Sequence, residues 1–171
     1  MRYDADYYYN LLRIQTEHAQ YIAECRWKFI AESNPKYVLD YGSGVGFFKA
    51  FAPPHIQVDT YDIAPYVQTG IRHDWYDVIC LWDVLEHIPN IDKSLRKLFE
   101  STRYVALTIP VLPEHKDLKN WKHYKPGEHL HYFSDEDLDV LFDHYGFKRI
   151  KSGYPECPPR EDVESILYER I

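Results

Sequence analysis

The sequence predicts a single α/β domain built on a mostly parallel sheet, and three observations predict it. Short apolar runs alternate with segments whose apolar residues recur at helical spacing, as in layered α/β folds. One run, Tyr76–Trp82, is apolar almost throughout, which is typical of a strand buried on both faces. Three of the 7 glycines lie within Gly42–Gly46, directly after another such run. A length of 171 residues without a repeat or linker suits one domain, 1–171.

The N-terminal half of the chain predicts one long helix followed by strands and a short helix. Apolar residues such as Leu11, Ile22 and Phe29 recur at helical spacing in the N-terminal segment 1–33, and Asn34-Pro35 ends that helix. The predicted elements are a helix at Tyr8–Ala31, a strand at Tyr37–Tyr41, a helix at Val45–Phe51, a strand at Ile56–Tyr61 and a strand at Tyr76–Trp82.

The C-terminal half predicts two more helices, a long irregular loop and a final pair of strands. Ser134 with Asp137 three residues later indicates a helix N-terminus, and Gly146 indicates its end. The segment Val111–Phe133 has little periodicity and predicts a lid over a binding site. The predicted elements are a helix at Ile91–Thr102, a strand at Tyr104–Ile109, a helix before Gly146, and strands at Phe147–Lys151 and Ser165–Arg170.

Charge and composition exclude several classes of protein. The formal net charge is −7 and no dense basic run is present, which disfavours a nucleic-acid partner. The longest apolar runs are far shorter than the ~18–20 residues that span a bilayer. Cys25, Cys80 and Cys157 are too few and too far apart for a disulfide framework or a zinc knuckle. Without a recognisable signal peptide, a cytoplasmic location is expected.

The glycine cluster has the pattern Asp40-x-Gly42-x-Gly44-x-Gly46. Glycines between a strand and a helix allow positive φ and let a ligand approach the backbone N–H groups. The dinucleotide fingerprint G-x-G-x-x-G needs its third glycine one residue later, where Phe47 stands. A phosphate-binding Gly-Lys-Ser/Thr sequence is also absent from this turn. The turn therefore predicts a nucleoside ligand without a pyrophosphate.

Two acidic residues accompany the turn. Asp40 ends the first strand, where a carboxylate would repel a pyrophosphate and attract an ammonium group. Asp62 ends the next predicted strand, where a carboxylate suits the two hydroxyls of a ribose. A cation, a ribose and a close backbone approach together describe S-adenosylmethionine (SAM) better than a nicotinamide cofactor.

Four motifs resemble those of the class I SAM-dependent methyltransferases, and they are most similar to the ubiquinone-biosynthesis type. The resemblance covers about residues 20–171 and implies a three-layer Rossmann-like sheet of seven strands, with an antiparallel last strand. Because only Ala64 to Trp75 separate the second motif from the next strand, a reduced third strand at Thr69–His73, without its usual preceding helix, is expected. The motifs are Val38–Gly46, Tyr61–Ile63, Tyr76–Ile88 and Gly127–Phe133.

The resemblance also implies which residues bind the cofactor. Asp74 matches the acid that contacts adenine in this family. Leu81 and Trp82 line the cofactor or are plain core residues, and the sequence leaves both open. The implied cofactor-binding residues are Asp40, Tyr41, Gly42, Ser43, Gly44, Gly46, Asp62, Ile63, Asp74, Leu81 and Trp82.

The candidate catalytic residues lie within the third and fourth motifs. His87 or His129 could accept the proton of an oxygen acceptor, although His129 and His131 are also compatible with structural hydrogen bonding. Asp83, Glu86 and His87 have the i, i+3, i+4 spacing of one helical face and could bind a divalent cation. A solvated first helical turn explains that spacing better, so no metal is expected.

The sequence as a whole predicts transfer of a methyl group from SAM to the oxygen, nitrogen or carbon of a small molecule. The acceptor is expected beneath the lid, where Tyr7-Tyr8-Tyr9, Trp121 and Tyr124 either wall its pocket or cover the sheet edge. Two other functions remain open. One is a non-catalytic SAM-binding module or subunit, and the other is a nicotinamide oxidoreductase.

Overall fold

A computed structural model describes residues 18–64, 67, 70–114, 117–160 and 162–171. The start of the predicted N-terminal helix and the Tyr7-Tyr8-Tyr9 run lie outside these residues. The helices are α1 (Ala19–Ile30), α2 (Phe47–Ala50), α3 (Ile91–Glu100) and α4 (Asp135–His144). The strands are β1 (Tyr37–Tyr41), β2 (Gln57–Tyr61), β3 (Tyr76–Trp82), β4 (Thr102–Pro110), β5 (Phe147–Gly153) and β6 (Val163–Arg170). Short 3-10 turns form at Ala31–Ser33, Leu85–His87 and Leu118–Asn120.

The six strands form one sheet in the order β2-β1-β3-β4-β6-β5. β1 pairs in parallel with β2 and β3, and β3 pairs in parallel with β4. β6 is antiparallel to both β4 and β5. The sheet therefore confirms the predicted α/β fold with a mostly parallel sheet and an antiparallel last strand.

In the described part of the chain the sheet has six strands and not seven, which agrees with the expected reduction of the third strand in the short connection between β2 and β3. The described residues of this connection form no strand, and Thr69 lies outside them. Two hydrogen bonds hold this connection against the edge of β2. The Gly70 N–H donates to the Thr60 carbonyl at 2.8 Å, and the Arg72 N–H donates to Asp59 Oδ2 at 2.7 Å. Residues 70–75 thus form an irregular segment that covers the edge of β2.

The sheet is buried on both faces. On one face, α3 and α4 cover a cluster that includes Leu81, Phe99 and Phe142, all essentially inaccessible to solvent. On the other face, α1 and α2 pack through Trp27 and Phe48, whose rings stack at 4.0 Å. Residues of β3 therefore alternate between two apolar environments, which explains its continuous apolar sequence.

The capping pattern before α4 is confirmed. The Ser134 side chain accepts from the Asp137 N–H while Asp137 accepts from the Ser134 N–H, a capping box. The segment Val111–Phe133 before it is closed at its base, because the Leu112 N–H donates to the Phe133 carbonyl at 2.7 Å. This segment, which the sequence predicts as a lid, lies beside the end of β3.

Candidate functional site

The glycine turn lies between β1 and α2, at the carboxyl end of the sheet. The Gly42 and Ser43 N–H groups both donate to the Tyr61 carbonyl, at 2.7 and 3.0 Å, so the turn is anchored to the end of β2. Gly42, Gly44 and Gly46 have φ values of +82°, +52° and +82°. Among the described residues, nothing lies within 4 Å of a Cβ atom placed at Gly44 or Gly46. These two glycines are therefore not covered by the described part of the chain.

Asp62 fixes the shape of this turn. Its Oδ2 accepts from the Gly44 N–H and its Oδ1 accepts from the Ala64 N–H, both at 2.8 Å. The carboxylate of Asp62 therefore ties the glycine turn to the segment that follows β2. The neighbouring Ile63 is 69% exposed, and an exposed apolar side chain at this point is suited to a flat ring.

Asp40 is the buried acid of the site. Its side chain is 2% exposed, and its Oδ2 has no hydrogen-bond partner in the described part of the chain. Burial raises the pKa of Asp40 to about 7, with the positive charge of Arg26 acting in the opposite direction. A buried carboxyl without a partner carries a desolvation cost that a bound cation would offset.

The predicted cofactor-binding residues Tyr41, Ser43 and Asp74 differ in how exposed they are to solvent. Tyr41 stacks on Tyr61 with ring centroids 4.6 Å apart, and burial raises the pKa of Tyr41 to about 12. The Ser43 hydroxyl is buried without a hydrogen-bond partner among the described residues. Asp74 is exposed in the irregular segment that covers the edge of β2.

Leu81 and Trp82 lie on opposite faces of β3. Leu81 is fully buried in the core beneath α3 and α4. Trp82 packs edge-on against Phe48 at 5.4 Å, on the same face as α1. Its indole nitrogen is buried without a hydrogen-bond partner among the described residues. Of the two, Trp82 is the one on the face of the sheet that holds Asp40.

A second cluster lies after β3, on the 3-10 turn Leu85–His87. Glu86, His87 and His129 each offer one oxygen or nitrogen atom, and these atoms all lie within 4.8 Å of one another. The His87 and His129 rings are nearly perpendicular, with centroids 4.9 Å apart. His129 is brought there by the lid, whose Leu130 and His131 N–H groups donate to the Glu86 carbonyl.

Burial shifts the pKa values of two members of this cluster, Glu86 and His129, toward their uncharged forms. Burial, followed by the charge of Asp83, raises the pKa of Glu86 to about 8. Burial, followed by the neighbouring His87, lowers the pKa of His129 to about 4. Glu86 Oε2 and His129 Nδ1 have no hydrogen-bond partners among the described residues. At neutral pH the cluster therefore presents a protonated carboxyl and a neutral imidazole.

The tautomer of His87 follows from its contact with the lid. His87 Nδ1 lies 2.9 Å from the Glu128 carbonyl, which can only accept, so Nδ1 carries the proton. The lone pair is then on Nε2, which lies 3.9 Å from Glu86 Oε1. His131 has a different role, because its Nε2 donates to the Ile88 carbonyl at 2.9 Å and holds the lid in place.

Aromatic side chains of the lid pack around His129. Trp121 is 3% exposed and lies edge-on to Tyr132, with ring centroids 6.3 Å apart. Tyr124 packs on Tyr132 at 5.5 Å, and Tyr132 lies 6.2 Å from the His129 ring. Trp121 and Tyr124 therefore belong to the inner side of the lid, and their predicted contact with an acceptor stays a prediction.

The predicted grouping of Asp83 with Glu86 and His87 is wrong. Asp83 has φ +61° and is not helical, so the i, i+3, i+4 spacing does not bring the three side chains to one face. Its carboxylate instead binds Arg26 at 2.9 Å and Arg160 at 2.6 Å. Burial alone would raise the pKa of Asp83, but the two guanidinium groups hold it well below its usual range. The interpretation of a solvated turn is also wrong, because Glu86 is 2% exposed.

Sequence reasoning missed the cations that surround Asp83. Arg26 and Arg160 also bind Glu156, at 2.6 and 2.7 Å, and Glu156 is completely buried. Arg26 and Asp83 are 57 residues apart, and Arg160 and Asp83 are 77 apart. No local pattern indicates a pairing over such separations, so only the folded chain reveals it.

Comparisons with known proteins identify the family and the fold of this chain. A family model described as a methyltransferase domain matches residues 14–152. The solved structure of mitomycin 7-O-methyltransferase is 15% identical with a TM-score of 0.69, covering 92% of this chain and 54% of that chain. Magnesium protoporphyrin IX methyltransferase from Synechocystis PCC 6803, solved with SAH, is 18% identical with a TM-score of 0.62, covering 90% of this chain and 84% of that chain.

Human N-acetylserotonin methyltransferase, solved in complex with SAM, is 13% identical with a TM-score of 0.70, and the match covers 96% of this chain and 55% of that chain. The chain thus spans about half the length of two of these three proteins, and at these identities the likeness is one of fold. A comparison with curated protein sequences finds no match. Among the described residues, no helix is both long and apolar enough to cross a bilayer.

Proposed function

Because this chain belongs to the methyltransferase-domain family, we propose that it binds SAM at the Gly42–Gly46 turn and methylates a small molecule. The observation that carries this proposal is the buried Oδ2 of Asp40, which has no hydrogen-bond partner among the described residues and lies beside a glycine turn that those residues leave uncovered. The finer resemblance to ubiquinone-biosynthesis enzymes and the cytoplasmic location stay predictions.

The residues of the turn fit the parts of SAM. Asp40 would accept hydrogen bonds from the ammonium group, which supplies the cation that its Oδ2 lacks. Asp62 would accept from the ribose hydroxyls while it keeps its bond to Gly44. Ile63, exposed beside it, would pack against adenine, and Asp74 would contact the exocyclic amine. Trp82 would border the methionine end, whereas Leu81 supports the strand from the core.

The cluster at Leu85–His87 would serve the acceptor. SAM supplies a methyl group bound to a positively charged sulfur; the acceptor atom bonds to this carbon as the carbon–sulfur bond breaks. Positioning the acceptor about 3–3.5 Å from the methyl group, in line, can contribute several kcal/mol. His87 would accept the acceptor's proton on Nε2. Its Nδ1–H would remain hydrogen-bonded to the Glu128 carbonyl during this proton transfer. His129 would contact the acceptor from the lid.

This assignment favours an oxygen acceptor among the predicted oxygen, nitrogen and carbon atoms. An O–H group must lose its proton as the new bond forms, and a neutral imidazole with a free lone pair is suited to accept it. The likeness in fold to mitomycin 7-O-methyltransferase supports the same preference.

The same three side chains could instead hold a divalent cation. A carboxylate oxygen and two imidazole nitrogens within 4.8 Å of one another form a donor set that suits zinc and similar metals. Turnover before and after dialysis against a chelator, with metal analysis of the purified protein, separates the two roles. Unchanged turnover supports the proton-transfer role, whereas loss that added metal restores supports the metal.

Cofactor binding is tested by calorimetric titration with SAM and with SAH. We expect micromolar affinity, on the order of −8 kcal/mol. Asp62→Ala should weaken the affinity at least tenfold, because the ribose loses its acceptor and the turn loses its bond to Gly44. Asp143→Ala, an exposed change on α4, is the matched control and should bind normally. Equal affinity in Asp62→Ala would remove Asp62 from the site.

Catalysis is tested by transfer of labelled methyl from SAM to a panel of phenols, alcohols, amines and activated carbon acids. We expect turnover with an oxygen acceptor and a loss of about 100-fold or more in His87→Gln. SAM affinity should not change in that variant. His144→Gln, which alters an exposed histidine at the end of α4, is the control. Normal SAM affinity without turnover on any acceptor would favour the non-catalytic binding module.

A further inference from the structure

Arg26 is a buried cation on α1 that none of the sequence motifs includes. Its side chain is 13% exposed. Its Nε donates to Glu156 Oε1 at 2.6 Å, and its Nη2 donates to Asp83 Oδ2 at 2.9 Å. The guanidinium carbon lies 5.1 Å from the centre of the Trp82 ring, a cation–π contact. Arg26 is therefore fixed from three sides by residues close to the end of β3.

Asp40 lies on the same side of the sheet as α1. Side chains alternate along a strand, so Asp40 is on the face of Val38, which packs in the cluster with Trp27 of α1. Asp40 is level with Cys80 of β3, and Cys80 belongs to that cluster too. The carboxyl of Asp40 and the guanidinium of Arg26 thus share one buried region without a hydrogen bond between the described groups.

Other charged groups in the described part of the chain also act on Asp40. Lys49 of α2 provides a second positive charge, and Asp62 at the end of β2 provides a negative one. Cys80 is the titratable group beside it on β3, and burial raises the pKa of that thiol. Of the two cations, Arg26 has the larger effect on Asp40.

We propose that Arg26 is an electrostatic positioning residue of the cofactor site, whose fixed positive charge keeps the buried carboxyl of Asp40 available as an anion for the ammonium group of SAM. This inference rests on the proposed function. Glu156 and Asp83 hold the guanidinium in place, and the charge itself is permanent because an arginine side chain does not lose its proton in proteins. The N-terminal helix thereby takes part in cofactor binding without touching the cofactor.

The physical reason is the cost of a buried negative charge. Burial already raises the pKa of Asp40 to about 7, so its ionised fraction at neutral pH depends on the charges nearby. Binding of an ammonium group requires the ionised form. Without Arg26, protonated Asp40 would persist to higher pH, and SAM would have to displace a more tightly held proton.

The experiment is the pH dependence of SAM affinity, measured by calorimetry from pH 5.5 to 9. In the wild type, affinity should fall as the pH decreases through the titration of Asp40. In Arg26→Met, the midpoint of that fall should move upward by about one pH unit, whereas Arg26→Lys should retain most of the wild-type profile. The amino group of SAM titrates identically in every variant, so differences report on the protein.

Arg160→Met is the matched control within the same ion network. Arg160 also binds Asp83 and Glu156, but it is not among the groups that act on Asp40. Its loss should therefore leave the midpoint within about 0.3 pH unit of the wild type. An equal shift in Arg160→Met, or a uniform loss of affinity at all pH values in Arg26→Met, would overturn the proposal.

A charge-balanced variant guards against a failure to fold. Arg26→Met combined with Glu156→Gln removes one positive and one negative charge together, and it should show the same upward shift. An unshifted midpoint in this double variant would also overturn the role of Arg26. If the wild-type protein binds no SAM at any pH, the proposed function itself is wrong, which separates the two failures.

Discussion

Single side chains at this site are buried without partners, at a cost to stability. Asp40 Oδ2, Glu86 Oε2 and His129 Nδ1 are all buried polar atoms without hydrogen bonds among the described residues. Such groups typically lower the stability of the free protein by about 1–3 kcal/mol each. A ligand that supplies the missing partners recovers that cost, so these atoms identify where binding is expected.

We expect Asp40→Asn to stabilise the free protein at pH 8 while it weakens SAM binding. The pKa of Asp40 is about 7 in the folded protein, above the ordinary value of 3.8. The wild type therefore loses stability as the pH rises between these values, because only the unfolded chain ionises freely. The asparagine has no such loss, and its advantage should reach on the order of 2–4 kcal/mol at pH 8.

Urea denaturation at pH 4, 6 and 8 measures this effect. The difference between variant and wild type should grow across that series. Asp143→Asn, an exposed change on α4, should show no such growth. A difference that stays constant with pH would mean that Asp40 is already ionised throughout the series in the folded protein.

At the scale of elements, the site depends on close contact between the β1 turn and the segment that follows β3. A Cβ atom at Gly42 would lie 2.3 Å from Val84 Cγ2, inside any permitted contact. Val84 directly precedes the 3-10 turn with Glu86 and His87. The glycine turn therefore packs directly against the segment that leads to Glu86 and His87, and a glycine is required where they touch.

Gly42→Ala should destabilise the protein much more than Gly46→Ala. Both residues have φ +82°, so each substitution carries the backbone strain of about 1–2 kcal/mol. In Gly42→Ala the new Cβ atom also collides with Val84, so the total loss of stability in this variant should reach about 3 kcal/mol or more. Chemical denaturation of the two variants gives the comparison directly.

A second substitution separates the collision from the strain. Val84→Ala in the Gly42→Ala background should recover the part of the loss that exceeds Gly46→Ala, because it removes both Cγ atoms. No recovery in the double variant would show that backbone strain alone accounts for the cost at Gly42.

At the scale of the whole molecule, one ion network joins three distant parts of the chain. Arg26 of α1, Asp83 after β3, and Glu156 and Arg160 before β6 form a group of two cations and two anions. Each carboxylate contacts both guanidinium groups. The network therefore fixes the position of the segment after β3 relative to both ends of the described chain.

Replacing both arginines should lower the free energy of unfolding by more than the sum of the two single replacements. In Arg26→Met or in Arg160→Met, Asp83 and Glu156 each keep one guanidinium partner. Each single variant should therefore lose about 1 kcal/mol of stability. The double variant leaves Glu156, which is fully buried, without a cation, and should cost about 3–5 kcal/mol. Free energies of unfolding from urea titrations measure the coupling. Additive losses would mean that the four groups act as separate pairs.

Sequence reasoning predicted most elements because their signals are local. β1 and β3 have the predicted bounds, and α3 begins at Ile91 as predicted. β6 begins at Val163 rather than Ser165, because its residues pair with β4 as far as Pro110. Strand ends of this kind depend on the neighbouring strand, which a single segment of sequence does not reveal.

The sequence by itself determined the α/β fold, the glycine turn and the two acids that flank it. These features follow from periodicity, from the backbone freedom of glycine and from short spacings along the chain. Only the tertiary structure decided that Asp83 pairs with Arg26 and Arg160, and that His129 joins Glu86 and His87. It also decided the order of the six strands that the described residues form. The physical reason is that contacts between distant residues depend on how the elements pack, and buried charges take whichever partners that packing brings within reach.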